Sequence, residues 1–328
     1  MNIQDLTRDT LFLIALELDI SDILNLCKSI ERINELICLR NDIWIYKLRE
    51  FPDHVKNDFK HLNLSPKDLV ILLYSLTKLQ NIFKVKKSLI DLYNMKDYTS
   101  YEFGKLKHFT HIPKEIKFLV NLKSMKLPFT NIIVIPKELG ELTNLTSLDL
   151  SNNKIEKLHA EIGKVINLTS LNIGWNKITT LPTEFSNLTN LKKLEIGNNP
   201  LQIFPLEITN LTNLEYLDLN ETEISELPKE IGNLTKLEYL TLNQDHLTEL
   251  PQELGQLISL NILDIYGNKL KNLPKELALI PNLKELWIGK NPLVSLPPEL
   301  NNPRLKIYVD KQQLKNFANL FNNRKLDQ

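Results

Sequence analysis

The chain has 328 residues, 42% of them hydrophobic, and its 40 Lys and Arg residues balance 40 Asp and Glu residues. This composition predicts a folded protein without the basic field that attracts nucleic acids or anionic membrane surfaces, so we expect neither as a partner. The N-terminus has no basic region followed by a long apolar run. We therefore expect no signal peptide and no membrane span.

The first 50 residues have helical periodicity. Residues 10–16 are apolar almost all round a helix, and such a helix must be covered on more than one side. Two more short helices are predicted, the first with Ser21 as its N-cap, before the segment ends at Trp44. Because a unit of this size is marginal on its own, its cover must come from the next segment or from a partner.

This segment resembles the F-box, whose pattern includes a Leu-Asp pair, a Leu-Leu helix and a terminal Trp. The resemblance implies docking on a Skp-family adaptor of a cullin-RING ubiquitin ligase. Thr7 stands where the family usually has proline, and Ser29-Ile30 stands where it prefers Val-Cys. The alternative is a helical cap that only shields the following domain. The expected adaptor-binding residues are Leu6, Leu11, Ile14, Leu18, Leu24, Ile33 and Trp44.

Residues 51–98 are predicted to form a helical bridge. Ser65 is an N-cap followed by Pro66 at the first helical position, and leucines then recur on one face. The two cysteines, Cys27 and Cys38, both precede this bridge. So few cysteines favour a reducing compartment, and we expect a cytoplasmic or nuclear protein.

A repeat of 23 residues dominates the rest of the chain. The phrase Leu-x-x-Leu-x-Leu-x-x-Asn recurs eight times, beginning at Leu122, Leu145, Leu168, Leu191, Leu214, Leu237, Leu260 and Leu283. Residues 99–121 read as a degenerate first repeat, in which Ile112-Pro113 is in register. The repeats resemble the leucine-rich-repeat family over residues 99–310. Composition and layout also resemble proteins of large DNA viruses that infect amoebae, which implies the host cytoplasm as a location.

The repeat unit predicts an α/β solenoid with short parallel strands on its concave face, preceded by the all-α F-box-like domain. Alternating leucines give each strand one buried face, and the ninth-position asparagine satisfies backbone groups of the following turn. Thr130, Thr222 and Asp245 replace this asparagine in three repeats, and His159 replaces a recurring proline. Residues 311–328 are predicted to form a C-terminal capping helix.

No catalytic constellation is present in the sequence. The glycines form no phosphate-binding loop, and the His108 and His111 pair has no cysteine or carboxylate at metal-ligand spacing. Cys27 lies on an apolar helix face without a base partner. We therefore expect no metal, no cofactor and no enzyme activity.

The informative surface is the outward row of each strand. Aromatic residues on neighbouring strands should stand side by side, as in the centre of a protein interface, and carboxylates accompany them. Tyrosines on strands and Asp in this row also occur for purely structural reasons. The expected partner-binding residues are Asp149, Glu195, Tyr216, Asp218, Tyr239, Ile262, Asp264, Tyr266 and Trp287.

Two functions follow as hypotheses. The first is a substrate receptor of a ubiquitin ligase, in which the N-terminal helices dock on the adaptor and the concave face holds the protein to be modified. The second is a signalling scaffold, similar to leucine-rich-repeat proteins that bind small GTPases or phosphatases, with the N-terminal helices only a cap. A monomer is expected outside such complexes.

Overall fold

The computed structural model describes residues 8–29, 34–99 and 109–317. The chain divides into two compact units, a helical unit up to Met95 and a repeat unit from Lys96 onward. No helix among the described residues has both the length and the apolar content that a membrane crossing requires.

The described part of the helical unit contains six α-helices and a single π-helical turn at Asn34–Cys38. The α-helices are α1 (Arg8–Glu17), α2 (Ile20–Ser29), α3 (Asn41–Lys47), α4 (Asp53–Asp58), α5 (Pro66–Ile82) and α6 (Leu89–Tyr93). The N-cap of α5 is confirmed, since Ser65 Oγ accepts a hydrogen bond from the Asp68 amide. The prediction of Ser21 as an N-cap is wrong, because the Asp19 carboxylate accepts from the Asp22 amide at 2.8 Å.

The core of the helical unit draws on both predicted segments. Val70 of α5 is fully buried in the same cluster as Leu11 of α1 and Ile43 and Trp44 of α3. The Trp44 indole donates to the Cys38 carbonyl at 3.0 Å, so its one polar group is satisfied inside this core. Helix α5 therefore supplies part of the cover that the apolar first helix requires.

Cys27 and Cys38 form a disulfide across this core, with their Cα atoms 6.0 Å apart. Cys38 is buried and Cys27 is half-buried. The expectation of a reducing compartment rested on these two cysteines and gains no support from their pairing.

In the described part of the repeat unit, ten three-residue strands form one parallel sheet in chain order, which confirms the predicted α/β solenoid. In the regular repeats each strand residue pairs with the residue 23 positions later, as Leu148 does with Leu171. The strands are β1 (Asp97–Thr99), β2 (Ser124–Lys126), β3 (Ser147–Asp149), β4 (Ser170–Asn172), β5 (Lys193–Glu195), β6 (Tyr216–Asp218), β7 (Tyr239–Thr241), β8 (Ile262–Asp264), β9 (Glu285–Trp287) and β10 (Lys306–Tyr308).

Strand β1 crosses the predicted boundary at residue 98, with Asp97 and Tyr98 in the segment that the sequence predicts as the helical bridge. Asp97 pairs with Ser124, 27 residues later, whereas His111 bridges to Val134 at the regular spacing of 23. The extra residues of this first repeat therefore lie between Thr99 and His111. Because β1 also lacks the inner leucines, the 23-residue pattern does not reveal it.

Each strand returns to the next through a short 3-10 helix that follows the recurring proline, as at Thr183–Asn187 after Pro182. Proline is suited to this position because it fixes φ and needs no hydrogen-bond acceptor for its nitrogen. His159 takes a similar backbone conformation (φ −78°, ψ 153°) and also precedes a 3-10 helix. The chain therefore follows the same kind of path after His159 as after the prolines.

A ladder of buried asparagines joins the turns that follow the strands. Asn176 donates through Nδ2 to the carbonyls of Leu150 and Ile173, and its Oδ1 accepts from the Ile155 amide. Thr130 keeps one contact of this ladder, because its hydroxyl donates to the carbonyl of Leu127, three residues earlier. At the C-terminal end, Gln313 of helix α7 (Lys311–Phe317) donates to the carbonyls of Ile288 and Asn291. Gln313 thereby satisfies the last turn, as the end of a solenoid requires.

Candidate protein-binding surface

The sheet has one face lined by leucines and one face open to solvent, which we call the outer face. Leu217 and Leu240 are completely buried, whereas the residues on either side of them in β6 and β7 are half-buried or exposed. This alternation matches the predicted pleat. The outer face corresponds to the surface that the sequence predicts as concave.

An aromatic-acidic patch occupies the outer face of β6, β7 and β8. We define it by two rows of three residues that are in register across these strands. The rows are Tyr216, Tyr239 and Ile262, and Asp218, Thr241 and Asp264. The rings of Tyr216 and Tyr239 have their centroids 5.9 Å apart, and Tyr239 is 39% exposed. The side-by-side arrangement of Tyr216, Tyr239 and Ile262 is the one that the sequence predicts.

Trp287 lies outside this patch. It pairs in register with Asp264, but its ring stacks on Tyr308 of β10, with centroids 3.8 Å apart and planes at 11°. Tyr308 is not among the predicted site residues, because its position beside Trp287 follows only from the pairing of β10 with β9. Tyr266 follows β8, and the Lys290 ammonium lies 5.1 Å from its ring centroid.

The aspartates of the outer face have a structural task. In each case Oδ1 accepts from the amide two residues later: Asp149 from Ser151, Asp218 from Asn220 and Asp264 from Tyr266. Asn172 closes the same kind of turn through its side-chain oxygen. Asp149 in β3 is three strands away from Asp218, roughly 14 Å at the usual strand spacing, so it does not belong to the patch.

The patch carries negative charge in a partly dehydrated setting. Burial raises the pKa of Asp218, and the charge of Glu195 adds to this effect. Burial likewise raises the pKa of Asp264. The pKa of Tyr216 is raised by burial and by the charges of Asp218 and Glu195. Glu195 itself pairs with Lys193 at 2.8 Å, so this predicted residue is compensated within its own strand.

The predicted adaptor-binding residues do not form one exposed set. Leu11 and Trp44 are buried in the helical core, and their role in adaptor binding stays a prediction. Ile14, Leu18 and Leu24 are half-buried, and Leu6 and Ile33 lie outside the described residues. The large apolar side chains that this unit exposes include Leu13, Leu39, Ile45 and Tyr46.

Two exposed aromatic residues are not among the predicted site residues. Trp175 is 59% exposed and Phe129 is 67% exposed, and both have positive φ, 57° in each case. They occupy the position after the strand where other repeats carry Asn, Gly, Gln, Glu or Lys. A bulky residue in this backbone region is uncommon and costs conformational energy. An alignment of the repeats would have identified these two residues, because they are the aromatic ones at a position that is otherwise small or polar.

The described residues contain no group of three or more His, Cys, Asp or Glu side chains that could hold a metal ion. His111 is exposed and its Nδ1 contacts the Thr110 hydroxyl, while His108 lies outside the described residues. The chemistry that the aromatic-acidic patch offers is that of apolar, aromatic and carboxylate contacts.

Comparison with known proteins agrees with this geometry. A family model described as leucine-rich repeat region matches residues 104–203 and 229–304, and a second model, Leucine Rich Repeat, matches residues 213–234. No protein among those of curated function matches the chain.

Solved structures of similar fold include two plant receptor domains. One is the leucine-rich-repeat ectodomain of the Arabidopsis thaliana receptor kinase GASSHO1/SCHENGEN3, solved with CASPARIAN STRIP INTEGRITY FACTOR 2. It is 29% identical with a TM-score of 0.57, and the match covers 66% of this chain and 28% of that chain.

The other is the Arabidopsis receptor kinase HAESA, solved with the peptide hormone IDA and the co-receptor SERK1. It is 26% identical with a TM-score of 0.54, and the match covers 65% of this chain and 37% of that chain. A leucine-rich-repeat protein of Leptospira interrogans is 28% identical with a TM-score of 0.48, over 67% of this chain and 75% of that one. The chain thus spans less than half the length of either plant structure.

Proposed function

Because the chain belongs to the leucine-rich-repeat family, we propose that it is a protein-binding protein without enzyme activity, and that the outer face of the repeats holds its partner. The observation that carries this proposal is the aromatic-acidic patch. Adjacent tyrosines on a rigid sheet present large apolar area at little conformational cost, which is typical of the centre of an interface. The two plant structures were each solved with a protein or peptide partner, which agrees with the same use of the fold.

We further propose that the partner is a substrate of a ubiquitin ligase. The support is the F-box resemblance of the N-terminal segment together with the exposed apolar side chains of the helical unit. Leu13 is 63% exposed and Leu39 is 65% exposed, so both side chains are accessible to a partner. In this proposal the chain acts inside the cell as a bridge that raises the effective concentration of the substrate near the ligase.

A scaffold for a small GTPase or phosphatase is the second candidate. It is favoured by the way the helical unit closes its own core, since Val70 of α5 is buried in the same cluster as Leu11 and Trp44. An F-box that has already covered these residues has less surface left for an adaptor. The helices would then serve only as a cap.

Mixing the purified full chain with a purified Skp-family adaptor and resolving the mixture by size-exclusion chromatography separates the two candidates. A substrate receptor forms a stable complex, and Leu13→Asp abolishes it without changing the melting temperature, because Leu13 faces solvent. Ile203→Asp is the matched control, since Ile203 is 80% exposed in the repeat unit. If the unaltered chain forms no complex, the receptor role is rejected and the scaffold is retained.

A further inference from the structure

In strands β6 to β8 and the residues that flank them, the charged side chains are all negative. The three phrases 214–221, 237–244 and 260–267 contain no Lys, Arg or His. Their carboxylates are Glu215, Asp218, Glu221, Glu238 and Asp264. Within the described chain, only Glu215 of this set has an ion pair, with Lys192 at 2.9 Å. Asp218 and Asp264, the two members of this set that lie within the strands, therefore have no ion pair among the described residues.

Two of these carboxylates stand on either side of Thr241. Asp218, Thr241 and Asp264 are in register on three successive strands, so each aspartate is one strand spacing, about 4.8 Å, from Thr241. Asp218 accepts from the Thr241 hydroxyl at 3.2 Å, and Asp264 accepts from Asn243 Nδ2 at 2.7 Å. Both aspartates thus have only neutral donors, although a positive charge placed between them would interact with both.

The absence of a cationic partner matters more for these two aspartates because both are half-buried. Burial raises the pKa of both carboxyl groups, because their charged forms lose water without gaining an ion pair. A carboxylate in such a setting gains most from a cation that also donates hydrogen bonds. The surface is therefore complementary to a positive ligand.

The tyrosines agree with a cationic ligand. The chain's own Lys193 lies 5.0 Å from the ring centroid of Tyr216, and Lys290 lies 5.1 Å from that of Tyr266. Attraction between an ammonium group and an aromatic ring is thus already used at both ends of this surface. Tyr239 lies between these ends, and no described cation of the chain contacts its ring.

We propose that this surface binds an extended, arginine-containing basic segment of the partner protein, with one guanidinium group between Asp218 and Asp264, above Thr241 and beside Tyr239. Arginine fits better than lysine because its planar group has five donors that can reach two carboxylates at once and can stack on a ring. This inference rests on the proposed function, since it names the chemistry of the segment that the outer face holds.

The test uses the full chain and a short fluorescent peptide of alternating arginine and serine, with fluorescence anisotropy as the readout. The double variant Asp218→Asn/Asp264→Asn removes two charges and keeps an oxygen that closes each turn, as Asn172 does through its Oδ1. Asp149→Asn is the matched control, because Asp149 closes the same kind of turn in β3. We expect the double variant to weaken binding by at least about tenfold, as expected when a charge-assisted contact is lost, and the control to leave it unchanged.

Two results would overturn the inference: equal weakening by Asp149→Asn, or equally tight binding of a peptide with glutamate in place of arginine. Either would show that the aspartates do not form a specific cation site. Failure of the proposed function is recognised separately, by photo-crosslinking of the native partner at position 239. A crosslink at Tyr239 in a chain that does not prefer the arginine peptide retains the interface and rejects only its cationic chemistry.

Discussion

Asp245 occupies a position at which most repeats carry a ladder asparagine. In the next rung, Asn268 Nδ2 donates to the carbonyls of Leu242 and Ile265. Asp245 is 3% exposed, and its Oδ1 accepts from the amide and hydroxyl of Thr222, but its Oδ2 has no hydrogen-bond partner. An ionised carboxylate there is dehydrated, whereas a protonated one can donate as the asparagine does.

Burial raises the pKa of Asp245 to about 6, from 3.8 in an unstructured chain. The folded repeat unit therefore binds a proton that the unfolded chain releases between these two values. The stabilisation by this proton is complete below about pH 4 and is lost as the pH rises through about 6. We predict that Asp245→Asn raises the free energy of unfolding by up to about 3 kcal/mol near neutral pH, two pKa units being equivalent to this energy.

Urea denaturation of the repeat unit at a series of pH values measures this effect. The difference between Asp245→Asn and the unaltered chain should shrink toward zero near pH 4, because both then present a donor to the ladder. Comparing the two chains at each pH cancels the contributions of Asp218 and Asp264. Asn268→Asp is the reverse variant and should be destabilised most at high pH; a pH-independent difference in both variants would contradict the account.

Trp44 provides a second prediction for a single residue. Its side chain is completely buried and its indole bonds to the Cys38 carbonyl, so Trp44→Ala should cost about 3 to 5 kcal/mol of stability in the helical unit. Hydrogen exchange should accelerate in residues 34–95 of the helical unit and remain slow in β3 to β9. Loss of adaptor binding with unchanged exchange would instead restore Trp44 as a contact residue.

The burial of Leu11 and Trp44 could not be predicted from the sequence, for a physical reason. A short helix that is apolar on nearly all sides shows that it must be covered, but the sequence does not show which neighbour covers which side. Val70, more than twenty residues beyond Trp44, supplies part of that cover. The side exposed to solvent, which includes Leu13, depends on packing that no local pattern records.

The strands of the repeat unit were predictable because one period sets both their spacing and their buried face. Leu171, Leu194 and Leu217 pair in register as the 23-residue phrase requires. Strand β1 was not predictable in the same way, because the first repeat is longer and has no inner leucines. The stacking of Trp287 on Tyr308 was not predictable from the repeat either. Tyr308 follows Trp287 by 21 residues, whereas paired residues in the regular repeats are 23 apart.

Inner and outer residues of the strands should differ in their effect on stability. Leu217→Ala leaves a cavity between stacked repeats and should cost about 2 to 5 kcal/mol, whereas Ser147→Ala on the outer face of β3 should change stability by less than about 0.5 kcal/mol. Chemical denaturation of the two variants checks this difference. Equal shifts of the two midpoints would show that the assignment of faces is incorrect.

For the molecule as a whole, the central claim is that the repeats hold a protein partner on the aromatic-acidic patch. A photo-crosslinking amino acid introduced separately at Tyr239, Trp175 and Ile203 tests this claim in cells that produce the full chain. All three side chains are exposed, but only Tyr239 lies in the patch. The account predicts a discrete covalent adduct with a partner protein from position 239 that is absent from positions 175 and 203. Adducts from Trp175 or Ile203 without one from Tyr239 would contradict it.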